Sequence, residues 1–358
     1  NDGSGNFSKT NILPEMLTNT KAVVAYDYDA DGDQDLIVGG HVVPGKYPLS
    51  ARSYILKNNN GRFTDVTPEI APQFENLGIV NELLISDYDG DGQGELIAVG
   101  EWMSIHFFDF KDSKFVKKEI DALKNTSGWW NTIAETDFDG DGDLDYFVGN
   151  LGGNNKFHPT PEKPLFIFGS NFDDDKTYDM VLSKTYQGNL VPVRGKECST
   201  AQNAFVSEKI KTFKEFANSS MEDIYGTVEL SNSYRQEVVE FRSVYLENTG
   251  NGNFSLKYLP AIAQLGPTMS FAFVDVNADG FTDVVGAGGI YEAEVETVRY
   301  DANVGYILLN DTKGNFKPYK DRNFYTGANT RYIHPFFVNT EKYLLVTNND
   351  RPLSVFKY

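Results

Sequence analysis

With 358 residues, 40% of them hydrophobic and 14% aromatic, the chain can bury a large core and is too apolar to stay disordered. A formal charge of −19 at pH 7 excludes nucleic acid and anionic membrane surfaces as partners, because like charge repels them at long range. Cys198 is the single cysteine, so no intrachain disulfide supports the fold, and no apolar run reaches the ~18 residues that a helix spanning a bilayer needs.

The chain opens on a turn-like segment in which GNFSKT (5–10) has the pattern of a strand that leaves a hairpin. Such a start reads as part of a longer polypeptide. The repeat unit then begins: an apolar strand, D-x-D-x-D-G-x-x-D, and a second apolar strand. It occurs as VVAYDYDADGDQDLIVGG, LLISDYDGDGQGELIAVG, IAETDFDGDGDLDYFVGN and FAFVDVNADGFTDVVGAGG, with a degenerate copy in LFIFGSNFDDDKTYDMVLS. A second pattern, strand, N-x-x-G-x-F, strand, follows in SYILKNNNGRFTDV, SVYLENTGNGNFSLKYL and GYILLNDTKGNFKPY. Two linked hairpins of this kind make a four-stranded meander, the unit of a β-propeller.

The first Asp or Asn of each loop stands at 27, 87, 137, 171 and 275, so the intervals are 60, 50, 34 and 104 residues. A blade takes about 40 to 50 residues. The interval of 34 therefore reads as a stripped-down blade, and the interval of 104 holds an insertion. Within it, STAQNAFVSEKIKTFKEFANSSMEDIYG (199–226) has helical periodicity, with Ser199 or Thr200 as candidate cap. The C-terminal YIHPFFVNTEKYLLVTNNDRPLSVFKY gives three strands and lacks a fourth. The expectation is a single all-β propeller domain over 1–358, with six or seven four-stranded blades and a helical insertion near 198–225. The ring would close by pairing the strand at 5–10 with the C-terminal blade at 331–358.

Oxygen ligands at alternate positions of a tight loop suit a hard cation with six to eight oxygens, and the Gly at position six permits the sharp turn. Calcium meets that description better than magnesium. The expected ligands of the first loop are Asp27, Asp29, Asp31 and Asp35, with the Asp33 carbonyl; of the second, Asp87, Asp89, Asp91 and Glu95, with the Gln93 carbonyl. The third has Asp137, Asp139, Asp141 and Asp145, with the Asp143 carbonyl, and the last has Asp275, Asn277, Asp279 and Asp283, with the Phe281 carbonyl. The degenerate loop offers Asn171, Asp173, Asp175 and Asp179, but Lys176 stands where the Gly should be and puts a cation beside the site. Four calcium sites follow, with a weakened fifth. Such loops would staple neighbouring strands rather than act as a sensing switch.

In a meander blade the acidic loops lie on one face, and the connections between second and third strands lie on the other. HVVPGKYPLSAR, EWMS, NTSGWWN, NLGGNNKFHP and IYEAEVETVRYDAN gather there. Arg52, Trp102, Trp129, Trp130, Arg299 and Asp301 are the candidate ligand-binding residues, beside Tyr47 and Tyr291, because aromatics next to Arg and Asn or Asp suit a glycan or a protein partner. The bland alternative is that the tryptophans fill gaps between blades and that Arg299 pairs with Asp301. Binding or assembly is the expected role, not catalysis. The cluster to examine for a lyase-type enzyme is His41, Lys46, Tyr47 and Arg52, which share one loop.

On these motifs the chain resembles the FG-GAP and VCBS repeats of integrin α-subunit propellers and of secreted bacterial proteins. The strings at 39–72, 126–154 and 299–316 resemble the C-terminal propeller of large VCBS proteins of Bacteroidota, related to cartilage acidic protein and carrying ASPIC/UnbV-type regions. The resemblance implies export and an extracellular or cell-surface location, associated with an outer membrane. It transfers no catalytic residue.

Overall fold

The computed structural model describes all residues except 1–2, 174–176, 251, 294–296, 312, 321–323 and 350. It is an all-β propeller with six antiparallel sheets among the described residues, five of them in the ring where six or seven blades are expected, the sixth being inserted. Val, Ile, Phe and Tyr fill the inner strands, such as Glu95–Met103 and Asp145–Gly149, which are buried on both faces, while outer strands such as Arg62–Asp65 and Ser354–Lys357 alternate between partly buried and exposed residues.

Sheet 1 comprises Thr20–Tyr26, Asp35–Gly40, Tyr54–Asn59 and Arg62–Asp65. Sheet 2 comprises Ile79–Ser86, Glu95–Met103, His106–Lys111 and Lys114–Lys118, and the short strand Gly128–Trp129 joins Glu95–Met103 beyond this path. Sheet 3 pairs Thr132–Thr136 and Asp145–Gly149 with two strands from far along the chain, Val244–Asn248 and Phe254–Tyr258. Between them stands an inserted sheet, in the order Asn189–Pro192, Asp179–Tyr186, Leu165–Ser170, Tyr234–Val238. Sheet 4 comprises Ser270–Val274, Asp283–Ala287, Tyr306–Asn310 and Phe316–Tyr319, and sheet 5 comprises Thr330–Val338, Glu341–Asn348 and Ser354–Lys357.

The first strands of sheets 1 to 5 touch in succession, which sets these five sheets around an axis. Lys21 of the first lies within electrostatic range of Arg331 of the last. The degenerate repeat is therefore not a member of the ring. It is an excursion between the second and third strands of sheet 3, which accounts for both the short and the long interval. The register Tyr146↔Leu246, Phe147↔Tyr245, Val148↔Val244 is kept across it.

Five short helices, Lys196–Gln202, Phe205–Lys209, Phe213–Ala217, Met221–Tyr225 and Thr227–Asn232, cover one face of the inserted sheet. Val206, Ile210, Phe216, Met221 and Ile224 pack there on Phe166, Phe168 and Val181. Ser199 and Thr200 lie inside the first of these helices rather than capping it. The capping side chains are Thr212, which accepts from the Glu215 amide, and Ser220, which forms a reciprocal box with Asp223. The other face of the inserted sheet carries Leu165, Ile167, Met180 and Leu182 and packs on Trp102, Trp129 and Leu151 from the ring, with Phe157 and Phe241 of the connecting segments between them.

The expected closure is not found. Sheet 5 has three strands, and residues 5–10 form no strand and are exposed. The N-terminal segment runs along sheet 1, where the Ile12 carbonyl accepts from the Phe63 amide at 3.0 Å. A turn-like pattern names a strand without naming its partner, and the long reach to sheet 5 must compete with this nearer edge.

Candidate functional site

The acidic loops share one hydrogen-bond design. The position-one carboxylate accepts from the position-six glycine amide: Gly32 to Asp27 at 3.0 Å, Gly92 to Asp87 at 2.9 Å, Gly142 to Asp137 at 3.2 Å and Gly280 to Asp275 at 2.9 Å. Those glycines have φ between 89° and 97°, which a side chain would strain. The position-five carboxylate accepts from the position-seven amide, as in Asp33 to Asp31, Gln93 to Asp91, Asp143 to Asp141 and Phe281 to Asp279.

Position nine does something the motif alone did not say. Asp35, Asp145 and Asp283 are fully buried, and each accepts from the backbone of the next hairpin: Asn58 at 2.7 Å, Asn248 at 2.8 Å and Asn310 at 2.9 Å. Asp145, Asp283, Glu95 and Asp179 also hold the position-two amides of their own loops, on Phe138, Val276, Tyr88 and Phe172. The acid thus ties strands one, two and three together before any ion is considered. Burial, with nearby carboxylates adding to it, raises the Glu95 carboxyl to about 8, and burial raises that of Asp145 to about 6.

The loops differ in how they would hold a cation. In the first, ligand oxygens of Asp27, Asp29 and Asp35 lie within 4.8 Å of one another; in the second, those of Asp87, Asp89 and Glu95 do; in the third, those of Asp137, Asp139 and Asp141. Buried oxygens without a hydrogen-bond partner remain on Asp29 and Asp35 in the first and on Asp87 and Asp89 in the second. Orphaned carboxylate oxygens in a convergent group are what a hard cation would satisfy, so these residues fit calcium. Not every expected ligand joins these groups: Asp31 and Asp91 stand outside those of their own loops. In the third loop Asp145 stands outside the group, since its oxygens are taken by two amides and the Tyr245 hydroxyl. In the last loop Asn277 both accepts from the Asp279 amide and donates to the Asp279 carboxylate, so the loop is closed on itself. Asp175 and Lys176 of the degenerate loop lie outside the described residues. The first loop also contains its own cation: Lys57 of the third strand contacts Asp29 and lies 3.3 Å from Asp31.

On the opposite face the second-to-third-strand connections and the inserted sheet enclose a cavity of about 390 Å³. Tyr47, Glu101, Trp102, Trp129, Asn131 and Arg194 are among its walls. The Tyr47 hydroxyl donates to Glu101 at 3.0 Å and accepts from the Trp102 indole at 2.6 Å. Burial, and then the Glu101 carboxylate, hold the Tyr47 phenol well above its ordinary pKa. Trp102 and Trp129 meet edge to face with ring centres 5.3 Å apart, and Trp129 rests likewise on Phe241 at 5.0 Å. Two buried donors of the wall, Trp129 Nε1 and Asn131 Nδ2, have no hydrogen-bond partner.

Of the residues expected on this face, Tyr47, Trp102 and Trp129 meet in the cavity and the others do not. Trp130 is fully buried between sheets 2 and 3, with its indole donating to the Thr126 carbonyl. Arg52 is held away by Asp65 at 2.8 Å and Glu75 at 2.6 Å. Arg299 lies over Tyr291, and both it and Asp301 are exposed; no ion pair joins them among the described residues. The four-residue loop cluster also separates: Lys46 is exposed, Tyr47 enters the cavity, and His41 is half-buried near Glu101 and Lys21, its pKa lowered first by burial. Sequence reasoning missed Asn131 and Arg194. The irregular loop spacing was the available signal, because it marks a second layer that could supply the cavity's roof.

A model of the FG-GAP-like repeat family matches residues 87–148, from the second acidic loop to the end of the strand after the third. No curated protein matches the chain. Among solved structures it is similar to "Crystal structure of BBS1N in complex with ARL6DN, soaked with mercury", at 8% identity over 94% of this chain and 92% of that one, with a TM-score of 0.24.

Proposed function

We propose that this chain is a calcium-stapled propeller that recognises a saccharide in the cavity between its ring and its inserted sheet. The propeller architecture and the FG-GAP-like repeat support a binding role. The observation that carries the finer reading is the pair of unpartnered donors, Trp129 Nε1 and Asn131 Nδ2, beside indole rings and the charged groups of Glu101 and Arg194. Sugar rings stack on indoles through their C–H faces while their hydroxyls and ring oxygens accept from such donors. A buried donor left empty costs about 1–3 kcal/mol, which a fitting ligand returns.

Calcium would be held by Asp27, Asp29 and Asp35, by Asp87, Asp89 and Glu95, and by Asp137, Asp139 and Asp141. Bound there, it would supply positive charge that offsets carboxylate repulsion. The resemblance read from the motifs supports an exported, cell-surface setting, which we adopt as part of the proposal. Recognition is favoured over turnover, because the loop residues considered for lyase chemistry point to different environments. Isothermal titration of a panel of neutral and anionic oligosaccharides, with calcium present, tests the reading. Binding that a Trp129→Ala variant loses is the expected result; an empty panel, with capture of a folded protein partner instead, would replace the saccharide by a protein.

A further inference from the structure

Beside that cavity, and sharing Phe157 with it, lies a second cavity of about 390 Å³ whose charged lining is cationic. Lys156, His158, Lys163 and Lys184 line it and no carboxylate does, in a chain of net charge −19. Glu162, the nearest acid in sequence, is occupied locally by its own amide and by Thr160. Lys156 is braced across the gap, donating to Thr297 Oγ1 at 2.9 Å and lying 5.3 Å from the centre of the Phe157 ring.

The two cavities adjoin at Phe157 and lie along one face of the inserted sheet. Residues two apart on a strand share a face, so Leu182 and Lys184 point the same way, as do Leu165 and Ile167. On the Asp179–Tyr186 strand the wall thus passes from apolar Leu182 to cationic Lys184 over one two-residue step, roughly 7 Å. A ligand wider than one ring would meet aromatic surface and unpartnered donors at one end and ammonium groups at the other.

We infer that the ligand is an anionic oligosaccharide, one ring seated against Trp129 and the carboxylate or sulfate of a neighbouring ring held by Lys163 and Lys184. This rests on the saccharide reading above and adds the charge and its position. Uronic carboxylate and sulfate ester share the chemistry that ammonium groups recognise. An acidic peptide would satisfy the lysines, and its carbonyls could accept from the donors, but a polyglutamate chain has no sugar ring to lay on the Trp129 indole.

Titration calorimetry of the full chain at fixed calcium can test this with four probes: an oligouronate tetrasaccharide, its carboxyl-reduced neutral form, a sulfated tetrasaccharide without carboxylates, and a tetraglutamate peptide. The expected result is that at least one anionic saccharide binds tenfold or more tightly than the neutral form. That advantage should disappear in Lys163→Gln/Lys184→Gln and shrink between 50 and 500 mM salt, about as expected for exposed charges. Trp129→Ala should weaken neutral and anionic saccharides alike. The carboxylate and sulfate arms decide which anion is taken. Equal binding of neutral and anionic saccharides would overturn the inference and leave saccharide recognition standing. Binding of none would overturn both, and tetraglutamate binding as well as the saccharides would overturn the assignment of ligand class.

Discussion

At the scale of single residues, the position-nine acid bears the most weight. Asp283 is fully buried and accepts from the Val276 amide at 3.0 Å and the Asn310 amide at 2.9 Å. Asp283→Ala would orphan both donors, at about 1–3 kcal/mol each, so a loss of about 2–6 kcal/mol is expected in urea unfolding, and it should persist in chelator because amides, not metal, cause it. His106 gives a pH signature. Burial, and then Lys117, lower its pKa from the ordinary 6.5 to about 4, and Lys118, Glu119 and Lys124 line the same depression. Between those pH values the unfolded chain takes up a proton that the fold refuses, so stability falls as pH drops from 6.5 to 4, by about 1.4 kcal/mol per unit at most. His106→Phe should therefore lose about 2 kcal/mol less than the unaltered chain over that window, measured by urea titrations at pH 7, 5 and 4.

At the scale of elements, the excursion from sheet 3 separates fold from recognition. Its two ends leave adjacent strands, Asp145–Gly149 and Val244–Asn248, which are already in register. Replacing residues 152–241 by a short turn should leave a folded ring, because loop closure between paired strands becomes easier when the loop is shorter. The same deletion removes Phe157, Lys163, Lys184 and Arg194, so saccharide binding should vanish. Circular dichroism melting and calorimetry on the shortened chain read the two outcomes separately. Unfolding of that variant would mean that the apolar seam of Leu165, Ile167, Trp102 and Trp129 supports the ring as well as roofing the cavity.

At the scale of the whole molecule, charge is the controlling quantity. Acidic loops gathered on one face of a chain of net charge −19 repel one another. Each calcium site held at a hundredfold excess over its Kd would add about 2.7 kcal/mol, so removing calcium from two or three sites should lower Tm by about 5–15 °C. Scanning calorimetry with and without chelator measures this, and raised salt should narrow the gap by screening the carboxylates. An unchanged Tm would leave the amide bonds of position nine as the staple on their own.

The sequence by itself determined what local spacing controls: the strands, the acidic turns, the glycine at position six and the two faces of the meander. These follow from two-residue alternation and from turn geometry, which a handful of neighbouring residues set. Only the tertiary structure decided that the degenerate repeat leaves the ring, that sheet 3 is completed about a hundred residues later, and that Asp145 spends its oxygens on amides. Strand pairing across such distances depends on which surfaces can be buried together, and no local pattern carries that information. Trp129 and Trp130 show it in one step: adjacent in the chain and alike in chemistry, they point to opposite sides of the backbone, so one lines a cavity and the other fills the seam between two sheets.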